Sequence, residues 1–175
     1  MYSIDHLDAV TQLTDVPQSS VGAPCPMILC GDHLLHLAYI VQRQGPEWDG
    51  RTIRIVGPHS QDESCALVHF VRPYTHMFGP PNDEAFHGHP LWNRGLRPYL
   101  VFEVANSSWI RRLERMNSVH PYHKKDRFSK LKHFIFAFHD STFECVAASF
   151  DVSIHVGSVA QVLRESWPQA TNSPS

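Results

Sequence analysis

A chain of 175 residues with a formal net charge of −2 and 42% apolar content has the size and balance of one folded unit that buries roughly two-thirds of its unfolded surface. That charge argues against a dedicated polyanion binder, and no segment approaches the ~20 apolar residues of a membrane helix. Cys25, Cys30, Cys65 and Cys145 form no Cys-x-x-Cys pair, and the early Asp5 and Asp8 interrupt any signal-type apolar run, so reduced thiols and a cytoplasmic location are expected.

In chain order, Ile4, Leu7 and Val10 give a weak helical pattern that passes into a stretch rich in proline and serine, which predicts a loose lead-in over 1–24. Residues 26–30 and 33–42 flank Gly31-Asp32, the signature of a hairpin with glycine first in a two-residue turn. On its longer strand Leu35, Leu37, Tyr39 and Val41 make the odd face the better buried one. A turn at 45–50, a strand over 52–56 and a longer strand over 65–72 follow.

Between 73 and 97 the strand pattern stops. Connections of this length are usually functional or disordered, and Tyr74, Phe78, Phe86 and Trp92 favour an ordered loop packed on the fold. A fifth strand over 98–104 leads into Asn106-Ser107-Ser108, whose side-chain oxygens predict a helix start. That helix carries Trp109, Leu113 and Met116 as its apolar stripe. Asp126 is placed to cap a short second helix with Phe128 and Leu131.

Residues 132–156 hold the longest strand pattern. Phe134, Phe136 and Phe138 alternate with His133, Ile135, Ala137 and His139, which reads as a central hairpin with a turn at Asp140-Ser141. Pairing His139 with Thr142 puts the phenylalanines on a core face and His139, Thr142 and Glu144 on the other, with diagonal neighbours about 7–8 Å apart. A last helix is capped by Ser158, presents Val159, Val162, Leu163 and Trp167 on one face, and stops at Pro168. A flexible tail over 169–175 completes a single domain over 1–175.

Short connections between strands and few, late helices predict an α+β fold. Its main feature is an antiparallel sheet of about 6–8 strands, with a partly closed barrel as the variant and two or three helices packed on it.

Three groups of residues could carry chemistry. His139 and Glu144 form a candidate acid–base pair, with Glu144 orienting the imidazole. In the long loop, His87 and His89 point to one side if the backbone is extended and, with Glu84, could hold a zinc or iron ion that keeps an open position. His76 in the same loop, and His120 and His123 in the connection between the helices, are candidate ligand-binding residues.

The third group is a basic segment over 111–132, where Arg111, Arg112, Arg115 and five further cations meet only Glu114 and Asp126. Arg111 and Arg115 are its candidate contacts for an acidic ligand or partner protein. Gly-x-Gly-x-x-Gly, Walker, Gly-x-Ser-x-Gly and His-Glu-x-x-His signatures do not occur, so nucleotide hydrolases, Rossmann dehydrogenases, α/β-hydrolases and zincins are disfavoured. Two functions follow as expectations: a small enzyme with a histidine and carboxylate pocket between hairpin and long loop, or an accessory protein using its basic face.

Overall fold

Strands in which apolar residues recur at every second position bury one face each, and here they build two antiparallel sheets. The computed structural model describes residues 2–42 and 55–171. The first sheet holds β1 (Ala9–Gln12), β5 (Thr75–Gly79), β6 (Val101–Ala105), β7 (Lys132–Ala137) and β8 (Thr142–Ala147) in the order β1-β6-β7-β8-β5. The second holds β2 (Met27–Cys30), β3 (Leu35–Ile40), β4 (Glu63–Val71) and β9 (Ser149–Gly157) in the order β2-β3-β4-β9. Neither sheet closes into a barrel. The α+β class and the antiparallel pairing stand, with the strands divided between two layers.

The layers meet through their apolar faces. Leu35, Leu37, Tyr39, Val68 and Phe70 of the second sheet pack on Phe134, Phe136, Phe143 and Cys145 of the first and on Phe138 just past β7. Each fully buried phenylalanine contributes on the order of 1.5–3 kcal/mol. The outer face of the second sheet is covered by α2 (Val159–Thr171), whose Val159, Val162 and Leu163 meet Ala38, Ile40, Cys65 and Leu67. That cover explains why all of β3 is buried, although the alternation alone gives it one buried face. His36 lies under α2 with its Nδ1 2.8 Å from the Ser166 hydroxyl.

The outer face of the first sheet is covered by α1 (Ser108–Asn117), the N-terminal residues and the long loop, where Tyr2, Phe86, Leu91, Leu96 and Trp109 pack on Phe102, Val104, Ile135 and Val146. Ser107 caps α1 by accepting the Ile110 amide hydrogen at 3.3 Å. The long loop is ordered, as its aromatics require, and turns through two short 3-10 segments, Phe86–Gly88 and Trp92–Arg94.

Several expected elements are corrected. The lead-in is tied down: it contributes β1, paired with β6, and buries Tyr2 and Asp8. Pro17, Ser19, Ser20 and Pro24 fall after the strand, and Asp8 anchors the lead-in by accepting the Ser108 amide hydrogen at 2.6 Å. The long loop begins with a strand, β5, which pairs with β8. Asp126 caps nothing, and a 3-10 turn, Lys125–Lys130, stands where the second helix was expected. Of the expected stripe on α1, Trp109 and Leu113 pack on the core, whereas Met116 is 63% exposed.

α2 runs past Pro168, the expected stop, to Thr171, without the one backbone hydrogen bond that a proline cannot donate. The turn at 45–50, residues 52–54 of the strand expected over 52–56, and tail residues 172–175 lie outside the described residues, and residues 55 and 56 form no strand. No described helix is long and apolar enough to cross a membrane.

Candidate functional site

The central hairpin sets the site. Phe136 pairs with Phe143, Ile135 with Glu144 and His133 with Val146, two residues out of the register expected for a two-residue turn. The reason is a longer connection, closed by a hydrogen bond from the Phe138 amide to the Ser141 carbonyl at 2.9 Å. A shift of two leaves every side chain on its expected face. It also moves His139 off the strand into the turn, and the diagonal neighbour of Glu144 becomes His133.

Glu144 therefore stands at the centre of a buried network. Its carboxylate accepts from the Tyr2 hydroxyl at 2.7 Å, from His133 Nε2 at 2.9 Å and from His89 Nε2 at 3.1 Å. The Leu91 amide donates to His89 Nδ1 at 3.1 Å, so the proton of that ring sits on Nε2, aimed at Glu144. His133 Nδ1 meets the Ser107 hydroxyl at 3.0 Å, and Tyr2 stacks on Trp109 at 5.3 Å between ring centroids.

Burial raises the pKa of Glu144, but the hydrogen bonds from His133 and His89 outweigh it and bring the carboxyl down to about 2. Burial and the charge of Glu144 push the Tyr2 hydroxyl well above its ordinary range. Both imidazole side chains are fully covered. Its donors and acceptors are matched among themselves, and the network fastens the N-terminus, long loop and α1 to the sheet.

The accessible chemistry lies at the hairpin tip. His139 Nδ1 donates to Asp83 Oδ2 at 2.9 Å, and the same carboxylate oxygen accepts a hydrogen bond from the Tyr99 hydroxyl. The Asp83 amide donates back to the His139 carbonyl at 2.9 Å, and Thr142 Oγ1 donates to the Pro81 carbonyl at 2.7 Å. Tyr99 stacks on the imidazole at 6.3 Å and 16°. It holds a left-handed backbone conformation, φ 64°, a strained state for an aromatic residue and one that concentrates at functional sites.

The electrostatics follow the geometry. The hydrogen bond to Asp83 holds the His139 pKa above its ordinary value. Hydrogen bonds from Tyr99 and His139 hold the Asp83 carboxyl below its own, and the bond to Asp83 pushes the Tyr99 hydroxyl up to about 12. The His139 side chain is 41% exposed. Tyr99 also lines a surface cavity of about 140 Å³ with Gln12, Leu13, Thr14, Val16 and Gln18.

The other expected residues fall apart spatially. His89 turns inward onto Glu144, while Glu84 and His87 face solvent. The Leu91 amide donates to His89 Nδ1, and Nε2 faces Glu144, so both ring nitrogens are engaged away from Glu84 and His87. Among the described residues no group of three or more His, Cys, Asp or Glu side chains could hold a metal ion. His76 lies between the sheets, stacked on Phe143 at 6.2 Å.

Arg111 pairs with Asp5 and with the Asn106 carbonyl, and Arg115 is exposed. His120 accepts from the Tyr122 amide at 3.1 Å, and His123 bridges Asn117 and Glu114 at 3.1 and 2.8 Å. None of these reaches Glu144 or His139. The sequence reading missed Asp83 and Tyr99 as partners of His139, and His133 and Tyr2 as partners of Glu144. Comparison with family models, curated proteins and solved structures finds no match.

Proposed function

We propose that the chain is an acid–base enzyme whose working group is His139, at the junction of hairpin tip and long loop, acting on a small polar substrate. One observation carries this reading: Asp83 takes the Nδ1 proton and a stacked Tyr99 fixes the ring plane, leaving Nε2, 3.9 Å from Asp140 Oδ1, as the lone pair. A carboxylate in that role sets the tautomer and stabilises the imidazolium formed when the base accepts a proton from water or a substrate hydroxyl. Asp83 and Tyr99 are positioning residues.

Because His139 titrates above its ordinary value, its base form accumulates on the alkaline side of that value, and kcat/KM should rise there. A panel of chromogenic carboxylic, phosphate and glycosyl esters tests the reading. His139→Gln is expected to lower any turnover found by about 10²–10⁴-fold, and Asp83→Asn to move the rising limb to lower pH. Turnover indifferent to His139→Gln, or none across the panel, contradicts it.

A second reading is favoured by a different observation. Met116, Val119 and Tyr122 are 63%, 88% and 78% exposed among the exposed Arg112, Arg115, Lys124, Lys125 and Arg127, a surface suited to an acidic partner with apolar side chains. Such binding should weaken as the Debye length falls from about 10 Å at 0.1 M salt to about 3 Å at 1 M, and weaken further with Arg112→Glu plus Arg115→Glu. Capture that ignores both removes this reading.

A further inference from the structure

Among the described residues the two sheets present four edges, and three of them are short or blunted. β1 and β2 have four residues each, and β5 has five and ends at Gly79 before Pro80-Pro81. β9 differs: its nine residues pair with β4 in unbroken register, and among the described residues no strand lies on its other side. It has no proline, no lysine and no bulge, three of the devices by which sheet edges are usually protected, and Asp151 is its one carboxylate. Ile154 and Val156 stand 53% and 76% exposed on it.

We infer that β9 pairs antiparallel with β9 of a second copy of this chain about a two-fold axis at Ser153, joining the two four-stranded sheets into one. The sequence of the strand, Ser-Phe-Asp-Val-Ser-Ile-His-Val-Gly, is self-complementary in this register. Ser153 is its central residue, so Phe150 meets Val156 of the partner subunit and Val152 meets the partner's Ile154. Asp151 meets the partner's His155, a carboxylate opposite an imidazole.

Phe150 and Val152 pack against the core between the sheets, and strand alternation puts Ile154 and Val156 on that same face. Each exposed apolar end therefore lies over the half-buried end of the other copy. Asp151, Ser153 and His155 share the opposite face, where Ser153 Oγ already lies 2.7 Å from His155 Nε2. An isologous contact needs one patch that fits itself, and this strand fits itself at every position. The unmet amides and carbonyls of the free edge supply the added ladder.

Sedimentation velocity of the full chain between about 1 and 500 μM tests this. The wild type is expected to shift from monomer to dimer in that range. Ile154→Lys, at an exposed position, should raise the dissociation constant at least about tenfold with an unchanged circular dichroism spectrum. Asp151→Lys should weaken the dimer by removing the carboxylate opposite the imidazole, His155→Glu should weaken it by setting two carboxylates opposite, and the double variant should restore it. A wild type monomeric throughout, a dimer indifferent to Ile154→Lys, or a double variant no tighter than its singles would overturn the inference.

Discussion

Replacing Phe136 by alanine is expected to cost about 3–5 kcal/mol and to lower the melting temperature by on the order of 10 °C. Phe136 is fully buried, and its ring lies 5.7–6.4 Å from those of Tyr39, Phe70, Phe143 and Phe150. Those neighbours belong to both sheets, so the hole opens where the layers are fastened and cannot close by a local shift. A total stability of about 5–15 kcal/mol leaves such a variant marginal. Chemical denaturation followed by tryptophan fluorescence checks the size of the effect. A loss below about 1 kcal/mol would mean that the sheets do not meet through this ring.

Glu144→Leu should cost a similar amount for a different reason. Leucine keeps much of the volume but removes the acceptor for the Tyr2 hydroxyl and for both imidazoles, and breaking a buried, hydrogen-bonded charge costs on the order of 3–5 kcal/mol. Glu144→Gln should cost less. If its amide nitrogen takes the Oε2 side, His133 can change tautomer and give its proton to Ser107, while the Tyr2 oxygen accepts. His89 has no such freedom, because the Leu91 amide holds its Nδ1.

The same network fixes an acid limit. A carboxyl lowered from 4.5 to about 2 on folding contributes about 3 kcal/mol above the unfolded value. That contribution is lost as the pH falls from about 4.5 towards 2. Denaturation midpoints across this window should drop steeply for the wild type and shallowly for Glu144→Leu; parallel curves would contradict the assignment.

The faces of the central hairpin were legible because side-chain alternation survives any even shift in register: Phe136 and Phe143 face inward and Glu144 outward. Its register was not, since Asp140-Ser141 lacks the glycine that marks a two-residue turn. β5 was hidden by its brevity between Pro73 and Gly79-Pro80-Pro81, and burial of the even face of β3 depended on α2, far along the chain. The site was legible only in part. His139 stood out as an ionisable residue at a hairpin end, but its partner Asp83 is 56 residues away, and no local pattern reports a pairing made by folding a loop back on a turn. Tyr2, 142 residues from Glu144, was invisible for the same reason.

The acid–base role rests on the state of the His139 imidazole, which ¹⁵N NMR of the ring nitrogens measures directly. In the wild type above its pKa, His139 should carry its proton on Nδ1 and leave Nε2 bare, and it should titrate above the ordinary value. Asp83→Asn should lower that pKa and release the tautomer preference. A proton resident on Nε2, or a titration unchanged by Asp83→Asn, would contradict the acid–base role assigned to this residue.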